Sequence, residues 1–245
     1  MKPHLDDAVF FRGPKMDKIG ICGVGLIGAS WAIGFANVGF KVFVYDSHKE
    51  SFITFKETSK KLIQDIRIIN PAIDEAKINS NIKLDCTVQE ICEDTILVQE
   101  SVLEDLEIKK RVFEQLDKFA SKNTIIASSS SYLLISKISE RVKGKHRCIN
   151  AHPALPPHIV PFVEVAGGID TDPNIIKQAV SIYKMAKYAA ITVNKETEGF
   201  VLNRLQGALL NEAVRLHEGG FASMEDIDIA LKPVSYTHLR AHETL

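Results

Sequence analysis

Much that would assign this chain to a special class is missing from it. Its 245 residues include four cysteines, Cys22, Cys86, Cys92 and Cys148, and none belongs to a C-x-x-C pair. Such scatter supports neither a disulfide framework nor a thiolate metal clasp; it fits reduced thiols in a cytoplasmic protein. The formal net charge is −1, so there is no electrostatic footprint for nucleic acid or an anionic membrane surface. No apolar run is long enough to span a bilayer. Residues 1–15, interrupted by Asp6, Asp7 and Arg12, do not read as a secretory signal and form an N-terminal extension. What is left is an ordinary globular composition, 45% hydrophobic and 25% charged, with room for one large domain or one and a half.

The informative stretch is Lys18 to Gly28, a short apolar run leading into G-x-G-x-x-G at Gly23, Gly25 and Gly28. Alone that motif is weak. Here a strand precedes it, a helix follows it, and Asp46 ends a second β-rich run, 18 positions past Gly28. Gly23 allows a tight turn, Gly25 lets a pyrophosphate approach the backbone, and Gly28 lets helix and strand pack closely. The backbone from Gly23 through Leu26, Ile27 and Gly28 then presents a helix N-terminus to the phosphates. Asp46 accepts from a ribose 2′-hydroxyl and repels a 2′-phosphate, which predicts NAD rather than NADP as the cofactor.

The rest of the chain alternates. Helices are expected from Ile27 to Asn37, closed by Gly39, from a cap at Ser47 to about Asn70, from Asp105 to Phe119, and from Pro173 to Lys187. Strands are expected at 41–45, 82–84, 95–99, 124–127, 147–151, 162–165 and 190–193. This is an α/β pattern: a Rossmann-type doubly wound, mainly parallel sheet over residues 16–196. A long helix from Glu198 to about Glu218, apolar on more than one face and so expected to be buried in a helical assembly, and a short one capped by Ser223 and ending near Lys232, begin an all-helical domain over 197–232. Residues 233–245 break the helical pattern at Pro233 and resemble a translated adapter sequence. They are set aside with His238 and His242, whose i, i+4 spacing is the one hint of a metal pair in a chain otherwise read as metal-free.

A dehydrogenase needs a base poised near neutral pH, an acid to orient it, and donors that hold the substrate oxygen. His152 follows a strand, and prolines at 153, 156 and 157 stiffen its loop. Glu164 stands between β-branched residues, an odd place for a carboxylate unless it is paired. Ser131 closes a run of four serines at a strand end, where such sheets bind ligands, although composition alone does not choose among the four. Asn203 sits early in an apolar helix and needs partners, either structural or from a substrate.

Three stretches, 21–32, 99–110 and 199–206, resemble the 3-hydroxyacyl-CoA dehydrogenase family, in particular its lambda-crystallin/L-gulonate 3-dehydrogenase branch, and the likeness spans about Met16 to Lys232. The resemblance implies that Ser131 binds substrate, that His152 and Glu164 form the catalytic pair, that Asn203 is the asparagine of G-F-x-x-N-R, and that Glu104 and Lys109 contact the cofactor. The implied reaction is NAD-dependent oxidation of a small-molecule 3-hydroxy acid, L-gulonate in the sugar-acid branch, by a homodimer; a 3-hydroxyacyl-CoA substrate or a non-catalytic dinucleotide-binding role are the alternatives. Leu155 stands where the family pattern H-P-x-N-P-P has asparagine, and Leu103 where it usually has proline. Only the first helices of the family's helical domain are expected in this chain, which would leave apolar surface exposed from Phe200 to Leu231.

Overall fold

The computed structural model describes the backbone of residues 17–237 and the side chains of residues 17–232; the extension at 1–15 and the tail histidines His238 and His242 lie outside the described residues. In chain order the elements are β1 (Lys18–Cys22), α1 (Leu26–Val38), β2 (Lys41–Tyr45), α2 (Glu50–Ile69), α3 (Glu75–Ser80), β3 (Ile82–Lys83), α4 (Val88–Cys92) and β4 (Thr95–Glu100). There follow α5 (Leu106–Phe119), β5 (Ile125–Ser128), α6 (Ile135–Ile138), β6 (Cys148–Pro153), β7 (Phe162–Gly167), α7 (Pro173–Met185) and β8 (Ala189–Val193). Two further helices, α8 (Leu202–Glu218) and α9 (Met224–Thr237), close the described chain.

The strands form one sheet in the order β3-β2-β1-β4-β5-β6-β7-β8. Every neighbouring pair is parallel except β6 and β7. The order reverses direction between β1 and β4, which opens a crevice beyond their carboxyl ends, the place where such sheets take ligands. This is the doubly wound sheet that the alternating pattern predicts. Because both faces are covered, its strands are apolar on both sides. One face packs Ile19, Ile21, Val42, Val44 and Leu97 against Trp31 and Phe35 of α1 and Tyr183 of α7. The other packs Val98, Ile126 and Cys148 against Phe113 and Leu116 of α5. Trp31 anchors the first face, with ring centroids 4.8 Å from Tyr188 and 5.5 Å from Tyr183.

The helix ends follow local chemistry. Gly39 closes α1 at φ 110°, a left-handed conformation that costs glycine little. Asp105 caps α5 by accepting from the Ile108 N–H at 2.8 Å. Ser47 does not cap α2. Asp46 turns the chain there by accepting from the His48 N–H at 2.9 Å, and the helix begins at Glu50 without a side-chain cap. The long helix also starts later than Glu198. Gly199 at φ 73° and Phe200 at φ 47° are left-handed, which breaks any helical bonding before Leu202.

The chain divides into two compact units between Phe200 and Val201. In the second, Ser223 accepts from the Asp226 N–H at 3.1 Å and caps α9 as expected. Helix α9 does not stop near Lys232 but runs through Pro233 to Thr237. A proline deletes one hydrogen bond and strains the turn before it without obliging a helix to end. The apolar surface expected to be exposed between Phe200 and Leu231 is found on α8, where Leu205, Leu210, Val214 and Leu216 are exposed and Ala213 is the buried residue. Phe200, included in the stretch expected to be exposed, is instead fully buried in the first unit.

Near the β3 edge of the sheet, Thr87 and Glu90 form a reciprocal capping box on α4, and Lys83 bonds Glu90 at 2.8 Å. Lys83, then the Thr87 backbone and hydroxyl, hold the Glu90 carboxyl down at about 2. A carboxyl lowered on folding stabilises above its unfolded pKa and loses that contribution as pH falls through the folded value. The stability difference between wild type and Glu90→Gln, read by chemical denaturation, should be full above pH 4.5 and close as pH falls toward 2. A gap independent of pH would mean that the charge of Glu90 contributes nothing.

Candidate active site

The glycine turn is built for a close ligand. Gly23 takes φ 89°, and its N–H donates to the Tyr45 carbonyl at 2.9 Å, joining β1 to β2. A Cβ on Gly28 would lie 1.9 Å from the Gly23 carbonyl oxygen, so any side chain there would force α1 off the turn. A Cβ on Gly25 would meet nothing within 4 Å, so its bare backbone faces open space at the start of α1. Leu26 is exposed and Ile27 half-buried beside it. Asp46 accepts from the Val24 N–H through Oδ2 and the His48 N–H through Oδ1, both at 2.9 Å. Each oxygen keeps a further lone pair, so the carboxylate braces the turn and still has capacity for a ribose diol. These features fit a dinucleotide: an open cradle for the diphosphate, a helix N-terminus behind it, and an acceptor one strand away.

A second cluster stands at the ends of β4 and β5. Glu100 is fully buried. It accepts from Lys109 Nζ at 2.7 Å, from the Val102 N–H at 2.6 Å and from Ser128 Oγ at 2.6 Å. Lys109 is 1% exposed and also reaches Glu104 at 3.2 Å. Glu104 in turn accepts from Ser130 Oγ at 2.5 Å and from the Ser131 N–H at 3.1 Å. The four serines are thereby sorted. Ser128 ties β5 to Glu100, Ser129 bonds Trp31 and Gln99, and Ser130 ties the loop to Glu104 while accepting from the Leu133 N–H. Ser131 stands half-buried at the end of the run.

The third cluster is the pair proposed from sequence. The antiparallel register of β6 and β7 sets His152 directly opposite Glu164. Side chains so placed share a face about 5 Å apart at Cβ, and here His152 Nδ1 lies 2.9 Å from Glu164 Oε2. Both are nearly inaccessible, at 3% and 0%. Phe200 stacks on the imidazole with centroids 5.0 Å apart and planes at 18°. Its left-handed backbone is a strained state for a non-glycine residue, held where the ring meets the histidine. Two positions before His152, Asn150 donates from Nδ2 to the Leu133 carbonyl at 3.1 Å, fastening the serine loop to β6. Its Oδ1 is buried without a hydrogen-bond partner among the described residues, a cost of about 1–3 kcal/mol accepted at that clasp. In the loop beyond His152, Leu155 is exposed, and His158 lies 3.2 Å from Ser30 of α1 and 3.4 Å from Asp65 of α2. Asn203 lies in the first turn of α8, in the second unit.

Comparison with known proteins gives the family. Residues 18–197 match the model of the 3-hydroxyacyl-CoA dehydrogenase NAD binding domain, and residues 199–236 match that of the 3-hydroxyacyl-CoA dehydrogenase C-terminal domain. The chain belongs to the 3-hydroxyacyl-CoA dehydrogenase family. Its cofactor is NAD, and within the family it sides with the lambda-crystallin branch. The lambda-crystallin homolog of Rattus norvegicus is 36% identical over 221 residues, covering 89% of this chain and 69% of that protein. The L-carnitine dehydrogenase of Oceanobacillus iheyensis is 32% identical, covering 88% of this chain and 70% of its own. A solved relative, an NAD+-dependent dismutase described as a 5-dehydrogenase of a pyridine carboxylic acid, superposes with a TM-score of 0.76 at 28% identity, over 90% of this chain and 70% of its own. The protein is an NAD-dependent oxidoreductase of this family.

Within this family fold, the residues singled out from sequence fall at consecutive strand ends: the glycines at β1, Asp46 at β2, Glu104 and Lys109 beyond β4, Ser131 beyond β5, and His152 and Glu164 on β6 and β7. Sequence reasoning missed Glu100 and Phe200, which the structure sets in contact with the candidate residues Lys109 and His152. The signal for Glu100 was its place as an acid closing the apolar strand Ile96-Leu97-Val98. Nothing local signals the Phe200 stack. Burial pushes the Cys22 thiol, next to Gly23, well above its ordinary value, so it stays protonated and unreactive. Among the described residues no group of His, Cys, Asp and Glu could hold a metal ion.

The Glu100–Lys109 pair generates a prediction. Lys109→Met leaves a buried carboxylate without its cation and should cost about 3–5 kcal/mol of stability. The double variant Glu100→Gln/Lys109→Met should recover most of it by chemical denaturation. Equal losses in single and double variants would show that the charges do not depend on each other.

Proposed function

We propose that the chain oxidises a small free 3-hydroxy acid to the 3-keto acid, with L-gulonate as the substrate. The observation that carries this reading is the buried His152–Glu164 pair on the sheet whose β1 end forms the NAD turn. An ionised Glu164 can only accept, so Nδ1 holds the proton and Nε2 offers its lone pair. Nε2 takes the proton of the substrate hydroxyl as general base, and Glu164 stabilises the imidazolium that forms. Bound NAD supplies the hydride acceptor. Phe200 fixes the plane of the imidazole and excludes water from one of its faces. Ser131 donates to the substrate oxygen, and Asn203 is the asparagine of the family's G-F-x-x-N-R motif, which supports a role for it in substrate binding. Glu104 faces the cofactor. Lys109 serves chiefly to hold Glu104 and neutralise Glu100, which its burial supports better than direct cofactor contact.

The resemblance to the lambda-crystallin/L-gulonate 3-dehydrogenase branch supports the sugar-acid substrate, and L-carnitine, named for the bacterial relatives, is itself a 3-hydroxy acid. We place the domain boundary at 196/197. The exposed Leu205, Leu210, Phe221 and Ile229 of the helical part support a homodimer. Scattered buried thiols and the lack of any described helix able to cross a membrane support a cytoplasmic location.

His152→Gln should lower turnover of L-gulonate by about 10²–10⁴-fold and leave NADH affinity nearly unchanged; equal loss of both would overturn the assignment. Acetoacetyl-CoA, tested in the same nicotinamide absorbance assay, should turn over more slowly than 3-dehydro-L-gulonate, and the reverse preference would select the acyl-CoA reading. Leu155→Asn restores the amide of the family pattern. One hydrogen bond gained in the transition state should raise kcat/KM by about tenfold, and an unchanged value would place this position outside the substrate's reach.

A further inference from the structure

The polar cluster of Gln99, Ser101, Ser129, Trp31 of α1 and Tyr183 of α7, beyond the ends of β4 and β5, dictates the direction of its own hydrogen bonds. Tyr183 is fully buried, and its hydroxyl meets Gln99 Oε1. Burial holds the phenol protonated well beyond its ordinary range, so the hydroxyl donates. That orients the Gln99 amide. A flipped amide would leave the buried phenolic proton facing N–H groups, with no acceptor. Gln99 Nε2 therefore donates to Ser129 Oγ, at 2.8 Å. Trp31 Nε1, which can only donate, points to the same oxygen at 3.1 Å.

Ser129 Oγ thus accepts twice, which uses both of its lone pairs. Its own proton must go to the remaining neighbour, Ser101 Oγ, at 2.8 Å. Ser101 accepts there, so its proton is directed away from the cluster, and no described residue accepts it. Ser101 follows β4 immediately and is half-buried. A Cβ placed on Gly23 would lie 2.9 Å from the Ser101 backbone, so the serine stands at the lip of the cofactor turn.

We propose that Ser101 orients the cofactor by donating its hydroxyl proton to an oxygen of the nicotinamide half of NAD. The direction follows from the sheet. Asp46 at the end of β2 suits the adenosine ribose, and β4 flanks β1 on the opposite side. A dinucleotide crossing the glycine turn from β2 brings its other half over β4, toward Ser101 and onward to His152. The inference rests on NAD binding and not on the choice of substrate.

Calorimetric titration with AMP, ADP-ribose and NADH separates the halves of the cofactor. Ser101→Ala should weaken NADH about tenfold and leave AMP within about twofold of wild type. ADP-ribose should weaken with NADH where the acceptor is a ribose oxygen and stay unchanged where it is the carboxamide; either result supports the donor role. Ser101→Thr keeps the hydroxyl and should retain NADH affinity. Trp31, the single tryptophan, reports through its emission whether the cluster survives each change. NADH affinity unchanged in Ser101→Ala would overturn the proposal, as would AMP weakening in parallel. Absence of NADH binding in the wild type would instead count against the cofactor assignment as a whole.

Discussion

A carboxylate with no access to water must be neutralised where it stands, and Glu100 is such a group. It ends β4, the strand beside the switch point of the sheet. Its two oxygens gather Lys109 from α5, the Val102 amide and the Ser128 hydroxyl. Lys109 then carries the constraint outward to Glu104, and Glu104 holds Ser130 and Ser131. One buried charge therefore sets the positions of the strand ends, the helix behind them and the loop that bears the serine assigned to the substrate. The arrangement contributes geometry more than stability, since a buried ion pair returns little beyond the desolvation it requires.

The pair proposed as catalytic, His152 and Glu164, depends on a different constraint, the one antiparallel step in an otherwise parallel sheet. A parallel crossover would put His152 and Glu164 at ends of strands joined by a helix. The reversal between β6 and β7 makes them cross-strand partners within a short loop of each other. The two constraints meet at Asn150, which fastens the serine loop to the histidine strand. The proposed base, His152, and the serine proposed to face the substrate, Ser131, are thus carried by elements joined through side-chain bonds, the preorganisation that proton transfer requires.

Much of the fold was legible in the sequence because its signals are local. The glycine turn, the closing Gly39, the caps at Asp105 and Ser223 and the alternation of strand and helix all depend on residues a few positions apart. The misreadings have the same origin in reverse. Ser47 looked like a cap because serine near a helix start usually is one, but Asp46 had already turned the chain. The helix after Glu198 was begun too early because nothing in the residue type marks Phe200 as left-handed. Pro233 looked like a stop, although a proline removes only one bond from a helix.

The site divides along the same line. By itself the sequence determined the NAD turn, Asp46, the candidacy of His152 and Glu164, and the family, since each rests on residue type at fixed spacing. Only the tertiary structure decided that Glu164 faces His152, that Phe200 covers the imidazole, that Lys109 is buried between two acids, and how the four serines divide their bonds. Those outcomes are set by register across strands and by hydrogen-bond partners up to about a hundred residues apart, such as Gln99 with Tyr183. Such pairings are decided by which groups must be satisfied once water is excluded, and that is known only when the sheet has closed over them.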